Sequence, residues 1–140
     1  MLNIFLCIYL IIVLNVIIHE FCHIIAAKIL KIKLYGIYFG NKMYVIKYKK
    51  INISPIILQG HIEIDVKEIK DISKVKLSIF FFSGVLGNII LTILLGVYIN
   101  NIILNVGIII IGSNIVVRNT IPWIYEENDI NLLIDCFREN

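Results

Sequence analysis

Two long apolar segments, separated by a polar one, divide the chain. The segment from Leu2 to Leu30 is mostly apolar, and Glu20 and Lys28 are its only formally charged residues. The segment from Leu77 to Val117 carries no charged side chain. A helix of about 20 apolar residues crosses a bilayer, so the first segment predicts one spanning helix and the second is long enough for two. The predicted spanning helices cover residues 2–30, 78–99 and 102–118.

The intervening segment predicts short strands rather than a further span. Apolar and polar residues alternate over much of residues 31–66, and Gly40-Asn41 is typical of a turn, which together favour a hairpin or small sheet. Open sheet edges do not face lipid, so we expect these strands at the cytoplasmic membrane interface. Residues 67–76 are polar and predict an interfacial helix.

After the third predicted span, Pro122 is expected to break the helix. A short helix over about 129–137 then follows. The pattern therefore predicts an all-α membrane protein with three transmembrane helices, a small cytoplasmic-side β-hairpin or sheet and a broken third helix, organised as a single domain over residues 1–140.

Composition and charge support a membrane location. Hydrophobic residues make up 59% of the chain, against about 45–50% apolar residues in soluble domains. Of 13 Lys and Arg, all but Arg118 and Arg138 are lysines between Lys28 and Lys76. The positive-inside rule places this segment and the C-terminus in the cytoplasm, with the N-terminus outside. The Ile, Asn and Lys bias favours a bacterial cytoplasmic membrane.

The sequence also disfavours nucleic-acid binding and a cleaved signal peptide. The lysine-rich segment also contains acidic residues and lacks the Arg and aromatic interleaving of nucleic-acid grooves, so no nucleic acid is expected as a partner. The N-terminus lacks the basic start and small-residue cleavage site of a signal peptide, so we expect it to stay attached.

The candidate chemistry lies inside the first span, in the sequence His19-Glu20-Phe21-Cys22-His23. Positions 19 and 23 are one helical turn apart on one face, so both imidazoles can reach one ion while Glu20 lies beside it. That arrangement is typical of zinc hydrolases. A buried polar cluster that only fixes helix packing is the alternative, but ionisable groups within a membrane usually mark function.

A catalytic zinc site with two histidines needs a third protein ligand. Asp129 and Asp135 follow the predicted break and return towards the first helix, and Asp129 follows the break more closely. Cys22 is adjacent to His23 but points off the 19/23 face. Glu126 and Glu127 also remain candidates, in a loop with solvated character.

Three stretches resemble motifs of the site-2 protease family of intramembrane metalloproteases. Residues 18–41 are similar to its zinc helix and following strand, and residues 83–88 to its Gly-Pro-x-x-Asn motif. Residues 119–122, followed by Asn128-Asp129, are similar to its Asn-x-x-Pro and Asp-Gly motifs. This chain departs from the family pattern at three positions, where Gly, Pro and Gly are replaced by Cys22, Val85 and Ile130.

The resemblance implies a minimal catalytic core with one Zn²⁺ ion, and it implies a role for each motif residue. Glu20 would be the general base, and Asn88 would line the substrate or zinc cleft, with interhelical hydrogen bonding as the alternative. Asn15 is expected beside the metal ligands or in helix packing, and Asn119 is expected near the substrate. The implied zinc ligands are His19, His23 and Asp129.

The expected substrate is a membrane-spanning protein or a hydrophobic peptide, hydrolysed below the surface of the lipid bilayer. Strands between Tyr35 and Ile64 would pair with the extended peptide. The alternative is a catalytically silent relative that binds a membrane peptide or partner through the same cleft. A metal transporter is disfavoured because three spans offer one site and no second along a path. The oligomeric state is left open by the sequence.

Overall fold

The computed structural model describes residues 2–41, 43–64, 72–99, 101–121 and 129–138. Within these ranges the chain forms four α-helices and a four-stranded sheet. The helices are α1 (Leu2–Leu30), α2 (Lys74–Tyr98), α3 (Ile102–Thr120) and α4 (Asp129–Arg138). The strands are β1 (Leu34–Phe39), β2 (Ile46–Tyr48), β3 (Ile51–Ile53) and β4 (Gly60–Ile64).

Two helices in the described part of the chain are long and apolar enough to cross a membrane. They are α1 over Phe5–Leu30 and α2 over Lys74–Tyr98. The apolar part of α3, Leu104–Thr120, is shorter. Large apolar side chains such as Phe21 and Leu94 are exposed on the outer faces of α1 and α2, as positions that contact lipid would be.

The ends of the two long helices follow from local capping. Lys31 has a left-handed backbone with φ 60°, and the Ile32 amide donates to the Ala27 carbonyl at 2.8 Å, which closes α1 in a Schellman-type turn. At the start of α2, the Ser73 hydroxyl accepts from the Lys76 amide at 3.4 Å. This cap starts α2 at Lys74, before the predicted start at position 78. Residues 67–71 of the predicted interfacial helix lie outside the described residues.

The sheet differs from the hairpin predicted at Gly40-Asn41. Its order is β2-β3-β1-β4, with β1 parallel to β3 and antiparallel to β4. The turn at Gly40 therefore does not join paired strands. Gly40 has φ 88°, and its amide donates to the Gln59 carbonyl at 2.7 Å, which ties the end of β1 to the start of β4. The hairpin of this sheet is β2–β3, which turns at Lys49-Lys50.

The sheet lies alongside α1 rather than beyond its C-terminal end. Near Leu30, the β4 side chains Ile62 and Ile64 pack against the hydrophobic core. Further towards the N-terminus of α1, the Ile57 amide donates to the Tyr9 hydroxyl at 3.4 Å. The start of β4 consequently lies beside the middle of α1, where the His-Glu motif is.

The hydrophobic core joins α1, α2 and α4. Leu133 of α4 is 7% exposed and packs among residues of both long helices. Lys74 at the start of α2 also places its ammonium 5.2 Å from the Phe137 ring centroid, a cation–π contact. These contacts hold the start of α4 against the histidine face of α1. The buried core residues are Ala26, Ala27, Ile32, Leu77, Phe80, Phe81 and Leu133.

Candidate metal centre

The α1 helix brings both histidines to one point. His19 and His23 are 7% and 3% exposed, and their Nε2 atoms are 3.1 Å apart. Their separation by four residues produces this convergence because side chains at i and i+4 share a helix face. Two nitrogen atoms able to bind a metal therefore meet in the interior of the bundle.

Asp129, the first residue of α4, completes the group. Its Oδ2 atom is 3.1 Å from His19 Nε2 and 3.5 Å from His23 Nε2. Leu133 lies one turn further along the same helix face, so its burial in the core sets the position of Asp129. Ile130, where the resembling motif has glycine, lies in regular helix. This backbone does not require a glycine.

The other candidates for a third ligand are placed differently. Asp135 is exposed. Cys22 points between the helices, where its Sγ is the nearest atom to a Cβ built on Gly87. Glu126 and Glu127 lie outside the described residues. Among the described residues, the group of potential metal ligands is His19, His23 and Asp129, whose ligand atoms lie within 4.8 Å of one another.

Each histidine ring has a second partner that fixes its orientation. The Nδ1 atom of His23 is 2.8 Å from the Phe80 carbonyl oxygen. A carbonyl only accepts, so Nδ1 carries a proton, and in the neutral ring Nε2 presents a lone pair towards Asp129. The Ser83 hydroxyl lies 3.2 Å from the same Nδ1 and donates to the Phe80 carbonyl at 2.6 Å.

Asn88 performs the same task for His19. It is fully buried, and the structure places its Nδ2 atom 3.0 Å from His19 Nδ1. The two ends of an amide have nearly the same outline. Turned by 180°, the amide would place Oδ1, which has no partner among the described groups, towards Nδ1. It would then accept the ring hydrogen and leave His19 Nε2 as a lone pair, which is the form that binds a metal.

The donor set and its surroundings fit zinc. Zinc–ligand bonds of about 2.0–2.1 Å in a tetrahedron separate the ligand atoms by about 3.3 Å, and the two histidine–aspartate distances are 3.1 and 3.5 Å. Asp129 Oδ2 is buried and has no hydrogen-bond partner among the described residues. A Cβ built on Gly84 would lie 2.6 Å from His19 Cε1 and 2.7 Å from His19 Nε2. The missing side chain therefore keeps space open beside the ligand atoms.

Glu20 lies next to this group without joining it. It is 3% exposed, and its Oε2 atom has no hydrogen-bond partner within the described structure. In the sheet, Gly60 lies against it, since a Cβ built there would lie 2.7 Å from both Cγ and Oε1. A carboxylate with a free acceptor atom is thus held beside the metal ligands.

The remaining two candidates are not brought onto the ligands by any contact that the structure describes. Asn15 is buried one turn before His19, and its side chain donates to the Ile11 carbonyl of its own helix at 2.9 Å. Asn119 is half-buried in the last turn of α3. Their roles at the substrate or metal site remain predictions.

Three contributors to the site were not identified from the sequence. Ser83 stands at the start of the second motif, but its contact with His23 depends on how α1 and α2 pack. The carbonyl of Phe80 is a backbone group, which residue type does not reveal. Gly60 follows Gln59 in what looked like an ordinary strand start. Only the position of Ser83 within a motif offered a signal in advance.

Comparison with known proteins agrees with this geometry. Peptidase family M50, whose members are zinc metalloproteases associated with membranes, matches residues 7–125. A comparison with curated proteins gives no match. The matched range contains His19, Glu20, His23 and Asn88 and ends before Asp129, so the third ligand rests on the geometry. Since the match covers most of the chain and includes the histidine pair, the chain belongs to peptidase family M50, the site-2 protease family.

Proposed function

We propose that this protein is a zinc-dependent intramembrane endopeptidase. The observation that carries the proposal is the convergence of His19, His23 and Asp129 beside the buried Glu20. Three of these four residues lie in a helix that is long and apolar enough to span a membrane. Its substrate is a membrane-spanning protein or a hydrophobic peptide.

One zinc ion would be held by the two Nε2 atoms and the Asp129 carboxylate. The chemistry that zinc supplies in such a site is polarisation of the scissile carbonyl and a lowered pKa of water. The Phe80 carbonyl would hold the His23 ring with its Nε2 lone pair facing inward. The Asn88 amide would do the same for His19 with Oδ1 turned towards Nδ1. Such partners also raise the basicity of the ligating nitrogens.

Glu20 is the general base in this proposal. Its carboxylate takes a proton from the attacking water and passes it to the leaving amine. The unpartnered Oε2 atom supports that role because no described group competes for its lone pairs. Burial keeps bulk water from the carboxylate, so the proton stays within the site.

The sheet offers a place for the substrate backbone. Among the described strands, β4 lies at one end of the sheet and pairs only with β1, so no described strand pairs with its other edge. Gly60, the first residue of β4, lies against Glu20. A substrate that unwinds and adds to this edge as a strand would satisfy its backbone groups and bring a peptide bond near the base.

The proposed topology has three spans, with the N-terminus outside and the lysine-rich segment and C-terminus in the cytoplasm. Its support is the charge distribution and the apolar character of α3, which is shorter than the other two. A bacterial cytoplasmic membrane is the proposed location.

The test compares the wild-type protein with Glu20→Gln in detergent or vesicles. Zinc content and cleavage of a candidate membrane peptide are measured together. We expect equal zinc in both proteins and a loss of cleavage of about 10²–10⁴-fold in the variant, the usual contribution of a general base. Unchanged cleavage would contradict the mechanism. Zinc bound in both proteins without cleavage in either would favour the silent relative.

A further inference from the structure

We infer that Gly60 is a positioning residue for Glu20, because the absence of its side chain determines where the carboxylate lies. This inference rests on the proposed function of Glu20 as the base. It adds a residue of the sheet to the machinery and separates the control of the base from the control of the metal ligands.

The first observation is the contact itself. A Cβ at Gly60 would lie 2.7 Å from Glu20 Cγ, 2.7 Å from Oε1 and 2.9 Å from Cδ. Carbon and oxygen atoms that are not bonded do not approach this closely. Three atoms of the Glu20 side chain are involved, so an added methyl group has to displace the carboxyl end as a whole.

The second observation is that one carboxylate oxygen of Glu20 makes no hydrogen bond within the described structure. Its Oε2 atom has no partner among the described groups, although the residue is 3% exposed. Packing therefore contributes to the position of the carboxylate, and Gly60 is one of the residues that lie against it. Catalysis is sensitive to displacements of about 1 Å at the reacting groups.

The third observation is that Gly60 is itself well fixed. It pairs with Phe39 across the β1–β4 ladder, and the preceding Gln59 carbonyl accepts from the Gly40 amide at 2.7 Å. Gly60 is not among the glycines with positive φ. Space, not backbone conformation, is what the position requires, so alanine tests the contact without straining the strand.

Two other glycines provide contrasts. Gly84 lies against His19 and His23, so the metal ligands and the base are each packed on a different glycine. Gly36 lies in the same sheet as Gly60, and its Cβ would lie 2.5 Å from Tyr38 Cε2. Gly36→Ala therefore overpacks the sheet to a similar degree without touching Glu20, and it is the matched control.

The first arm of the test measures cleavage and zinc content. We expect Gly60→Ala to lower kcat by at least about 10-fold, a part of what a general base contributes, with zinc per chain unchanged. Gly36→Ala should keep kcat within about 3-fold of the wild type. The shorter Glu20→Asp side chain makes room for the methyl group, so the Gly60→Ala, Glu20→Asp double variant should be no slower than Glu20→Asp alone.

The second arm needs neither metal nor substrate. The thermal unfolding midpoint of the metal-free protein should fall in Gly60→Ala, and this fall should disappear when Glu20 is also replaced by alanine. The fall caused by Gly36→Ala should persist in that background. The non-additive change in unfolding midpoint thus measures the contact between positions 20 and 60 directly.

Wild-type kcat in Gly60→Ala would overturn the inference. An equal fall in the midpoint in the wild-type and Glu20→Ala backgrounds would overturn it as well. These outcomes differ from a failure of the proposed function, in which Glu20→Gln cleaves as well as the wild type. Should the wild type cleave no candidate peptide, the midpoint coupling still decides whether Gly60 sets the position of Glu20.

Discussion

Each histidine of the candidate centre uses one ring nitrogen for a protein partner and keeps the other for the ion. His23 donates to a backbone carbonyl of α2, and His19 meets the amide of Asn88 from the same helix. A helix interior offers few free polar groups, so these partners are what select the metal-binding tautomer. The proposed ligand atoms belong to α1 and α4, but groups of α2 contact the Nδ1 atoms of both histidine rings and fix the ring orientations.

Replacing Asn88 with alanine should therefore weaken zinc binding without removing a ligand. The His19 ring loses its fixed tautomer, and we expect zinc affinity to fall by about 10–100-fold. Competition with a chromogenic chelator measures this change. Ser78→Ala in the same helix is the comparison, because that hydroxyl donates to the Lys74 carbonyl of its own helix. An Asn88 variant with wild-type affinity would contradict the assigned role.

Gly84→Ala should be more severe, because the added methyl group would occupy space against both histidine rings. We expect bound zinc to fall below measurable levels while α2 remains helical, since alanine favours helix more than glycine by about 1 kcal/mol. Gly96→Ala in the same helix is the control, as a Cβ there meets nothing within 4 Å. Elemental analysis and circular dichroism of both variants separate loss of metal from loss of fold.

At the level of elements, α4 is the helix that carries Asp129, the proposed third ligand. It is attached by the burial of Leu133 and by the contact between Lys74 and Phe137. Its face carries Asp129 and Leu133 one turn apart, so core packing and metal binding act on the same helix. Docking of α4 and binding of zinc should consequently favour each other.

Leu133→Ala tests this coupling. Removing a buried leucine side chain typically costs about 2–5 kcal/mol, and here part of that cost should be seen as weaker zinc binding. Leu132→Ala, at a position 44% exposed, should leave zinc affinity unchanged. Equal zinc affinity in the two variants would show that α4 docks independently of Leu133.

The turn of the β2–β3 hairpin contains a lysine in a left-handed backbone conformation, which favours glycine. Lys49 has φ 52°, and a left-handed backbone costs a non-glycine residue about 1–2 kcal/mol. Lys49→Gly should therefore raise the free energy of unfolding by up to about 1 kcal/mol, measured by chemical denaturation. Lys50→Gly, at a position whose φ is not positive, should lower it. A destabilised Lys49→Gly protein would contradict the turn geometry.

The sequence predicted the elements unevenly, for physical reasons. Long apolar runs determine helices by themselves, so α1 and α2 occupy segments that the pattern had marked. The pairing of β1 with β3 and β4 depends on contacts between distant segments, and the turn at Gly40 looked like a hairpin although its amide bonds to Gln59. The turn at Gly40 could be predicted from residue types, but the strands that it connects to could not.

The same division holds for the candidate centre. The histidine pair could be predicted because four residues of helix determine its geometry. Asp129 was preferred because it directly follows the predicted helix break, and the motif that precedes it agreed, but its approach to the histidines depends on how α4 packs. Gly60 and the Phe80 carbonyl could not be predicted, because one acts through a missing side chain and the other through the backbone.

For the molecule as a whole, the ligand set joins the first and last helices of the described chain. Ligand binding to the folded state stabilises it in proportion to the logarithm of ligand concentration over Kd. A protein with this arrangement should therefore lose thermal stability when a chelator removes zinc. The membrane helices alone would give no such dependence on metal.

The central claim is that His19, His23 and Asp129 together hold one zinc ion, and the zinc content of the purified protein tests it most directly. Elemental analysis should find about one zinc per chain in the wild type and in Glu20→Gln, the stoichiometry of a single catalytic site. Asp129→Ala should retain almost none after dialysis against a weak chelator. Full zinc retention by Asp129→Ala, or no zinc in the wild type after purification with zinc present, would contradict the account.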